Sequence, residues 1–129
     1  MKKLLVASLV ALSLVAGAFA APTYPDISRE ELKTAIAAGK VTLIDVNGSS
    51  SYQAGHIPTA KDYAVISADF ATHLPKDKSA LVVAYCGSPK CGAYKRAAEA
   101  AAKLGYTNVR HFSGGISGWR EAGEKVATP

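Results

Sequence analysis

The chain has 129 residues, with 15 Lys and Arg against 10 Asp and Glu, so its formal net charge is +5. The basic residues are scattered and are not interleaved with aromatic residues, which excludes a nucleic-acid-binding surface as the main function. A modest positive charge favours small anionic substrates and indicates no more than that.

The first 20 residues have the pattern of a secretory signal peptide. Lys2 and Lys3 precede an apolar stretch from Leu4 to Val15, and residues 18–20 (AFA) form a small-x-small cleavage motif. The stretch is shorter than the roughly 20 residues that span a bilayer, which disfavours a membrane anchor. We therefore predict a periplasmic or secreted protein, cleaved near Ala20 and without a membrane span after cleavage. Loss of the two lysines lowers the net charge from +5 to +3.

The pattern of the rest of the chain predicts one domain in which strands and helices alternate. A capping box, Ser28 to Glu31, predicts a helix that ends at Gly39. Strands are predicted at 41–46, 60–65, 80–85 and 109–112, a loop at 47–55, and helices at 67–74 (capped by Ser67), 92–104 and 116–122. This order predicts an α/β domain at 28–123, with a lead-in at 21–27 and a tail at 124–129. Its mainly parallel central sheet is expected to have about five strands, with helices on both faces.

The only two cysteines, Cys86 and Cys91, lie where a predicted strand turns into a helix. Gly92 and Ala93 are expected to start that helix, whose N-terminus supplies unpaired amides and a positive dipole end, and both favour a thiolate. Cys86 is therefore the predicted nucleophile. The predicted anion-binding cradle consists of Gly87, Ser88, Pro89, Lys90, Cys91 and Gly92, with Lys95 and Arg96 adding positive potential.

Two plainer interpretations of these cysteines remain open. Cys86 could be a buried and inert thiol. Alternatively, Cys86 and Cys91 could form a structural disulfide, as is common in exported proteins. Closing so short a loop removes little entropy from the unfolded chain, so such a bridge would stabilise the fold weakly.

Four motifs in order resemble the single-domain rhodaneses, a sulfurtransferase family. They are LIDV at 43–46, SYQAGHIPTAKD at 51–62, VVAYC at 82–86 and AAEAAAKLGYTNVRHFSGGISGW at 97–119. The resemblance covers about residues 27–123 and implies the rhodanese fold. It also implies that Cys86 attacks the outer sulfur of a donor such as thiosulfate, becomes a persulfide and passes the sulfur to a thiol or cyanide. The amides of Gly87, Ser88, Lys90, Cys91 and Gly92 would surround this persulfide, without a metal or organic cofactor.

The chain departs from the common family pattern at three positions. Asn47 stands where an arginine is usual, Thr59 where a glycine is usual, and Tyr94 where a serine is frequent. The loss of the arginine puts activity with thiosulfate in question. The role of Cys91 is also open, since it could resolve the persulfide and close a disulfide with Cys86, or only pack in the loop.

Several residues near the predicted site are interpreted as structural. We expect His56 to order its turn and to hydrogen-bond Asp45, Gly114 and Gly115 to form a tight turn beside the loop, and Trp119 to anchor the core. Tyr52, Tyr63 and Tyr85 are expected to be half-buried. The spacing of His and Cys matches no recognised metal site.

Four functions are therefore compared. A sulfurtransferase that uses Cys86 is favoured, with a small sulfur-containing anion and a thiol acceptor as substrates. The second is a thiol–disulfide redox or sensing protein that uses both cysteines, with a protein redox partner or sulfur acceptor. The third is a non-catalytic binding module of the same fold. A cysteine phosphatase would need an arginine six positions after Cys86, where Gly92 stands.

Overall fold

A computed structural model describes Gly17 and residues 23–129. The predicted signal peptide and its cleavage site, apart from Gly17, lie outside the described residues. Within the described part of the chain, no helix combines the length and apolar character that a membrane crossing requires.

Helices surround a sheet of four parallel strands, in the order β2-β1-β3-β4. The strands are β1 (Thr42–Asp45), β2 (Lys61–Asp62), β3 (Val82–Tyr85) and β4 (Val109–His111). The helices are α1 (Arg29–Ala37), α2 (Ser49–Ala54), α3 (Tyr63–Ile66), α4 (Lys95–Lys103) and α5 (Gly115–Glu121), with a 3-10 segment at Ser67–His73. The α/β architecture is as predicted. Where about five strands were expected, the described residues form four, and Asp26 adds one parallel bridge beside His111 at the outer edge of β4.

The core lies on both faces of the sheet because the side chains of β1 and β3 alternate between them. Leu43, Val83 and Tyr85 face the side covered by α1 and α5, where Leu32 and Trp119 are buried. The other face carries a second buried cluster that includes α4 and the 3-10 segment. All four residues of β3 are buried, as expected for the central strand of a two-sided parallel sheet.

The predicted capping box is present at the start of α1. The Ser28 side chain accepts from the Glu31 amide (3.1 Å), and the Glu31 carboxylate accepts from the Ser28 amide (3.0 Å). The helix ends where Gly39 takes a φ of +66°, a left-handed conformation that glycine adopts without strain.

Three local predictions between residues 47 and 67 are wrong. Residues 49–54, expected as loop, form α2, because the Tyr52 hydroxyl is anchored on the Ala60 carbonyl (2.8 Å) and packing overrides weak helix propensity. The strand expected at 60–65 is only two residues long, since the Asp62 side chain accepts from the Ala64 amide (3.0 Å) and caps α3 there. The Ser67 side chain caps no helix.

The segments at both ends of the domain form backbone hydrogen bonds with the rest of it. Ile27 is buried, and its amide donates to the His111 carbonyl (2.9 Å). Near the C-terminus, Ala127 and His56 exchange two backbone hydrogen bonds of 2.8 and 3.0 Å. The segments at 21–27 and 124–129 therefore contribute contacts to the fold wherever the structure describes them.

Thr59 occupies a position that suits glycine. The Ala60 amide donates to the Ile57 carbonyl (3.0 Å), which closes a four-residue turn with Pro58 in its second position. Thr59, in the third position, has a φ of +75°. Type II turns require a positive φ there and favour glycine, whereas a β-branched residue is strained in that region.

We expect Thr59→Gly to stabilise the protein. Relief of the left-handed strain should exceed the entropy that glycine adds to the unfolded chain, for a net gain of about 0.5–1.5 kcal/mol in the free energy of unfolding. Urea denaturation measures this change. Thr107→Gly is the matched control, because Thr107 is also exposed but has no positive φ and should lose stability. Equal losses in both variants would show that Thr59 is not strained.

Candidate active site

Cys86 follows the last residue of β3 at the carboxyl end of the sheet. The Tyr85 carbonyl before it accepts from the Val46 amide (2.9 Å), so the strand is held in register up to the cysteine. The Cys86 residue is only 3% exposed. Ligand sites of open parallel sheets lie at this end of the strands, so the fold puts Cys86 where chemistry is expected.

A buried Asp45–Tyr85 pair supports the strand end. The Tyr85 hydroxyl donates to the Asp45 carboxylate (2.6 Å) and accepts from the Ile57 amide (3.0 Å). The other Asp45 oxygen accepts from the Asn47 amide (2.8 Å). Burial, followed by the Asp45 charge, raises the pKa of Tyr85 far above its ordinary value. Tyr85 was expected to be half-buried, but it is fully buried because it carries this link between β1 and β3.

The expected hydrogen bond between His56 and Asp45 is absent. Nδ1 of His56 lies 2.8 Å from the Tyr52 carbonyl, and its ring stacks on the Tyr52 ring with centroids 3.7 Å apart. Asp45 is instead paired with Tyr85 and the Asn47 amide. His56 thus joins α2 to the C-terminal segment, and none of these contacts involves the cysteine loop.

The first turn of α5 holds the carbonyls at the start of the cysteine loop. The Ile116 amide donates to the Cys86 carbonyl (2.9 Å), and the Ser117 amide (3.0 Å) and hydroxyl (2.8 Å) both donate to the Gly87 carbonyl. This contact requires Gly115, whose φ is +61° and whose absent Cβ would lie 2.5 Å from the Cys86 carbonyl oxygen. With these two carbonyls held by α5, the orientation of the loop peptides is set.

Gly114 and Trp119 lie beside this contact. Gly114 precedes α5 with an ordinary φ of −59°, and a Cβ on it would meet the Phe112 ring at 3.0 Å. Trp119 is buried, packs edge-on against Phe112, and donates to the Lys125 carbonyl (2.8 Å). Both residues therefore support the packing of α5 under the loop.

Most of the amides proposed for the cradle are available. In the described part of the chain, the amides of Gly87, Ser88, Lys90 and Gly92 donate to no protein acceptor. The Cys91 amide, also expected in the cradle, instead donates to the Ser88 carbonyl (3.0 Å) and closes a tight turn. Pro89, which has no amide hydrogen, lies inside this turn.

The turn places Cys91 against Cys86, and the two form a disulfide with Cα atoms 6.2 Å apart. This separation lies within the range that a disulfide spans. The loop geometry therefore permits the direct bridge that the sequence left open. Cys91 is only partly buried, in contrast to Cys86.

The helix after the loop starts later than expected. Gly92 and Ala93, predicted to begin it, lie in a turn, and α4 begins at Lys95. The Lys95 and Arg96 amides donate to the Gly92 and Ala93 carbonyls (both 3.2 Å), so these amides at the start of α4 do not face the cysteine. The free amides of the predicted cradle therefore precede α4 and do not belong to its first turn.

Tyr94 fixes the far end of the loop to the sheet. Its ring stacks on His111 of β4, with centroids 3.7 Å apart and an interplanar angle of 3°. Burial is the main cause that lowers the pKa of His111, and the nearby Asp26 charge opposes it. Tyr94, which stands where a serine is frequent in the family, therefore has a packing role.

The cations near the loop are solvent-exposed. Lys90, Lys95 and Arg96 form no ion pair with a carboxylate among the residues described. Arg96 also borders a small cavity of about 120 Å³ with Val46, Gly48, Tyr63, Ala64 and Ser67. Positive charge is thus available at this end of the sheet without a competing partner. The described chain brings no three His, Cys, Asp or Glu side chains together as a metal site.

Asn47 lies beside the loop where the family commonly has arginine. Its Oδ1 is 3.4 Å from the position that a Cβ on Gly87 would take. Its Nδ2 is buried and has no hydrogen-bond partner among the described residues. The sequence predicted Gly114 and Gly115 beside the loop. It did not predict this Asn47 contact or the donors that α5 supplies, because these join segments far apart in the sequence.

Comparisons with known proteins identify the family and the fold of the chain. The model of the rhodanese-like domain matches residues 28–122. An HTH-type transcriptional regulator of Mycobacterium tuberculosis is 38% identical over 101 residues, which cover 78% of this chain and 43% of the regulator. The human thiosulfate:glutathione sulfurtransferase is 29% identical over 110 residues, covering 75% of this chain and 94% of that enzyme.

A solved structure of a human single-domain sulfurtransferase superposes with a TM-score of 0.59 at 27% identity. The match covers 77% of this chain and 97% of the human one. This chain spans less than half the length of the mycobacterial regulator but nearly all of the human proteins. The family match covers most of the chain and includes the cysteine loop, so this protein belongs to the rhodanese-like family.

Proposed function

We propose that this protein is a sulfurtransferase that moves sulfane sulfur from a thiosulfate-like donor to a thiophilic acceptor through a persulfide on Cys86. The observation that carries the proposal is the loop around this buried cysteine. Its first two carbonyls are held by α5, while the amides of Gly87, Ser88, Lys90 and Gly92 remain free. Such amides can stabilise negative charge on sulfur. The likeness to a human thiosulfate:glutathione sulfurtransferase supports the same chemistry.

The reaction begins from the reduced loop, after an external dithiol or two thiols have reduced the disulfide and have themselves become a disulfide. The Cys86 thiolate attacks the outer sulfur of the donor, a new S–S bond forms, and the donor's S–S bond breaks. With thiosulfate, sulfite leaves with the electron pair of that bond. An acceptor thiolate or cyanide then attacks the outer sulfur of the persulfide, and Cys86 leaves as thiolate. No step needs a cofactor.

The surroundings of the loop favour a small anionic donor. Lys90, Lys95 and Arg96 supply unpaired positive charge at this end of the sheet. Asn47 supplies a neutral donor where arginine would supply a charge, so we propose weaker binding of a dianion such as thiosulfate than in relatives with that arginine. The acceptor is a small thiol or a protein thiol.

A second candidate, thiol–disulfide exchange, is favoured by the Cys86–Cys91 disulfide. Export, proposed from the N-terminal pattern alone, would bring the loop into an oxidising compartment where this bridge forms readily. In this alternative the loop passes electrons between dithiols and never carries sulfur.

The intact mass of the protein after exposure to thiosulfate tests the proposal. The protein is reduced, freed of reductant, exposed to thiosulfate and quenched at early times. A gain of one sulfur atom that cyanide removes is the expected result. Oxidation to the disulfide without release of sulfite would contradict sulfur transfer and favour the redox function.

A further inference from the structure

We infer that Cys91 is a second catalytic thiol, which makes this protein a dithiol-driven reductase of sulfane sulfur that releases sulfide. The inference rests on the proposed function, because it begins from the Cys86 persulfide. The Cys91 thiolate attacks Sγ of Cys86, the Cys86–Cys91 bond forms, and the outer sulfur leaves as hydrosulfide with the electron pair. The sulfane sulfur is reduced to sulfide while the two thiols are oxidised to the disulfide.

The geometry selects the inner sulfur as the point of attack. Sγ of Cys91 is bonded to Sγ of Cys86, so the atom that resolves the persulfide already reaches this sulfur within the folded loop. The Ser88–Cys91 turn, closed by the Cys91 amide on the Ser88 carbonyl (3.0 Å), presents Cys91 there. An internal thiol held within bonding reach competes strongly against any thiol that arrives from solution.

The difference in exposure between the two cysteines also supports Cys91 as the thiol that resolves the persulfide. Cys86 is only 3% exposed, so an external thiol has less access to its sulfur than to that of Cys91. Cys91 is partly exposed and follows two exposed residues, Pro89 and Lys90. An external dithiol therefore meets the bridge at Cys91, which suits a cycle in which the disulfide is the species to be reduced.

The leaving group and its surroundings also favour resolution. Thiol–disulfide exchange is faster when the departing sulfur is the weaker base, and hydrosulfide is a weaker base than an ordinary alkyl thiolate. The free amides of Gly87, Ser88, Lys90 and Gly92 can stabilise the charge that develops on the departing sulfur. Reopening the bridge requires an external dithiol, small or protein, and no other co-reactant.

A single-turnover experiment without any acceptor separates this inference from the proposed function. Reduced wild-type protein and the variants Cys91→Ser and Cys86→Ser are freed of reductant and mixed with thiosulfate. Sulfite, sulfide and intact mass are followed together. Wild type should release one sulfite and one sulfide per chain and end two hydrogens lighter than the reduced form. Cys91→Ser should release one sulfite, retain one extra sulfur and release no sulfide.

Each other result overturns a specific claim. A wild type that keeps the extra sulfur, or a Cys91→Ser variant that releases sulfide equally, would refute the role of Cys91 while sulfur transfer stands. If neither wild type nor Cys91→Ser releases sulfite, the proposed function fails and the inference fails with it. Sulfite release by Cys91→Ser also shows that this variant is folded.

Discussion

Replacing Cys86 by serine should reduce sulfur uptake from thiosulfate to background. A serine hydroxyl is not ionised near neutral pH and cannot form the persulfide, so the nucleophile of the first step is lost. Sulfite release and the intact mass after thiosulfate exposure are the two measurements. Cys91 should not rescue the variant, because the loop carbonyls that α5 orients belong to Cys86 and Gly87.

The fold should tolerate this change. Cys86 is buried, but serine is close to it in size, and Cys86→Ala provides a second variant without the buried hydroxyl. Cys91→Ser is the matched control, since it also removes the disulfide and should still take up sulfur. Turnover that persists in both Cys86 variants would show that the sulfur is carried elsewhere and would end the proposed mechanism.

The central part of the fold could be predicted from the sequence because its signals are local. β3 is a continuous apolar run, and the capping box at Ser28 and Glu31 lies within one helical turn. The cysteine loop is contiguous, so its composition alone placed Cys86 at the end of a strand. Signals of this kind need no knowledge of what lies across the sheet.

The supports of the site could not be predicted because they are formed between distant segments. The Asp45–Tyr85 pair joins residues 40 positions apart, and the Ser117–Gly87 contact joins residues 30 apart. Nothing in either local sequence indicates which donor meets which acceptor. His56 was therefore paired with Asp45 in the prediction, whereas the acid is held by Tyr85 and the Asn47 amide.

The prediction of a short strand at the edge of the sheet was wrong for a related reason. Residues 60–65 were predicted as a short strand, but β2 stops after two residues because Asp62 caps the following helix. At an edge, few ladder hydrogen bonds compete with such a cap. Packing and side-chain hydrogen bonds then decide the conformation, and neither is visible in the local pattern.

The start of α4 illustrates the same limit at the active site. Residues 92–104 have high helix propensity, yet the helix begins only at Lys95. The Ser88–Cys91 turn ends just before Gly92, and the Lys95 and Arg96 amides bond to the Gly92 and Ala93 carbonyls three residues back, so the α-helical hydrogen bonds start only beyond this point. The amides available to a bound anion therefore belong to the loop, which changes the predicted source of the positive electrostatic potential without moving the site.

Replacing Gly115 by alanine should damage both stability and sulfur uptake more than any other single methyl group added near the loop. The new Cβ would lie 2.5 Å from the Cys86 carbonyl oxygen and 2.8 Å from the Gly87 carbonyl carbon, and the residue would be forced to keep a φ of +61° or move. Left-handed strain together with overpacking against backbone should cost roughly 2–6 kcal/mol of unfolding free energy. Urea denaturation of the reduced protein measures this loss.

The effect on chemistry follows from the same contact. When α5 is pushed away, the Ile116 and Ser117 amides lose the Cys86 and Gly87 carbonyls, and the loop peptides lose their fixed orientation. Sulfur uptake by the folded fraction should fall on the order of 10–100-fold, as expected when reacting groups are misplaced by about 1 Å. This rate is measured at a low temperature where the variant remains folded.

Gly118→Ala is the matched control, because it adds the same methyl group three residues later on the same helix. Gly118 has no positive φ, and a Cβ there would meet no atom within 4 Å. This variant should keep full sulfur uptake and gain about 0.5–1 kcal/mol, since alanine is favoured over glycine within a helix. If Gly115→Ala matched Gly118→Ala in uptake, the hold of α5 on the loop would have no part in positioning Cys86, and the orientation of the loop amides would need another cause.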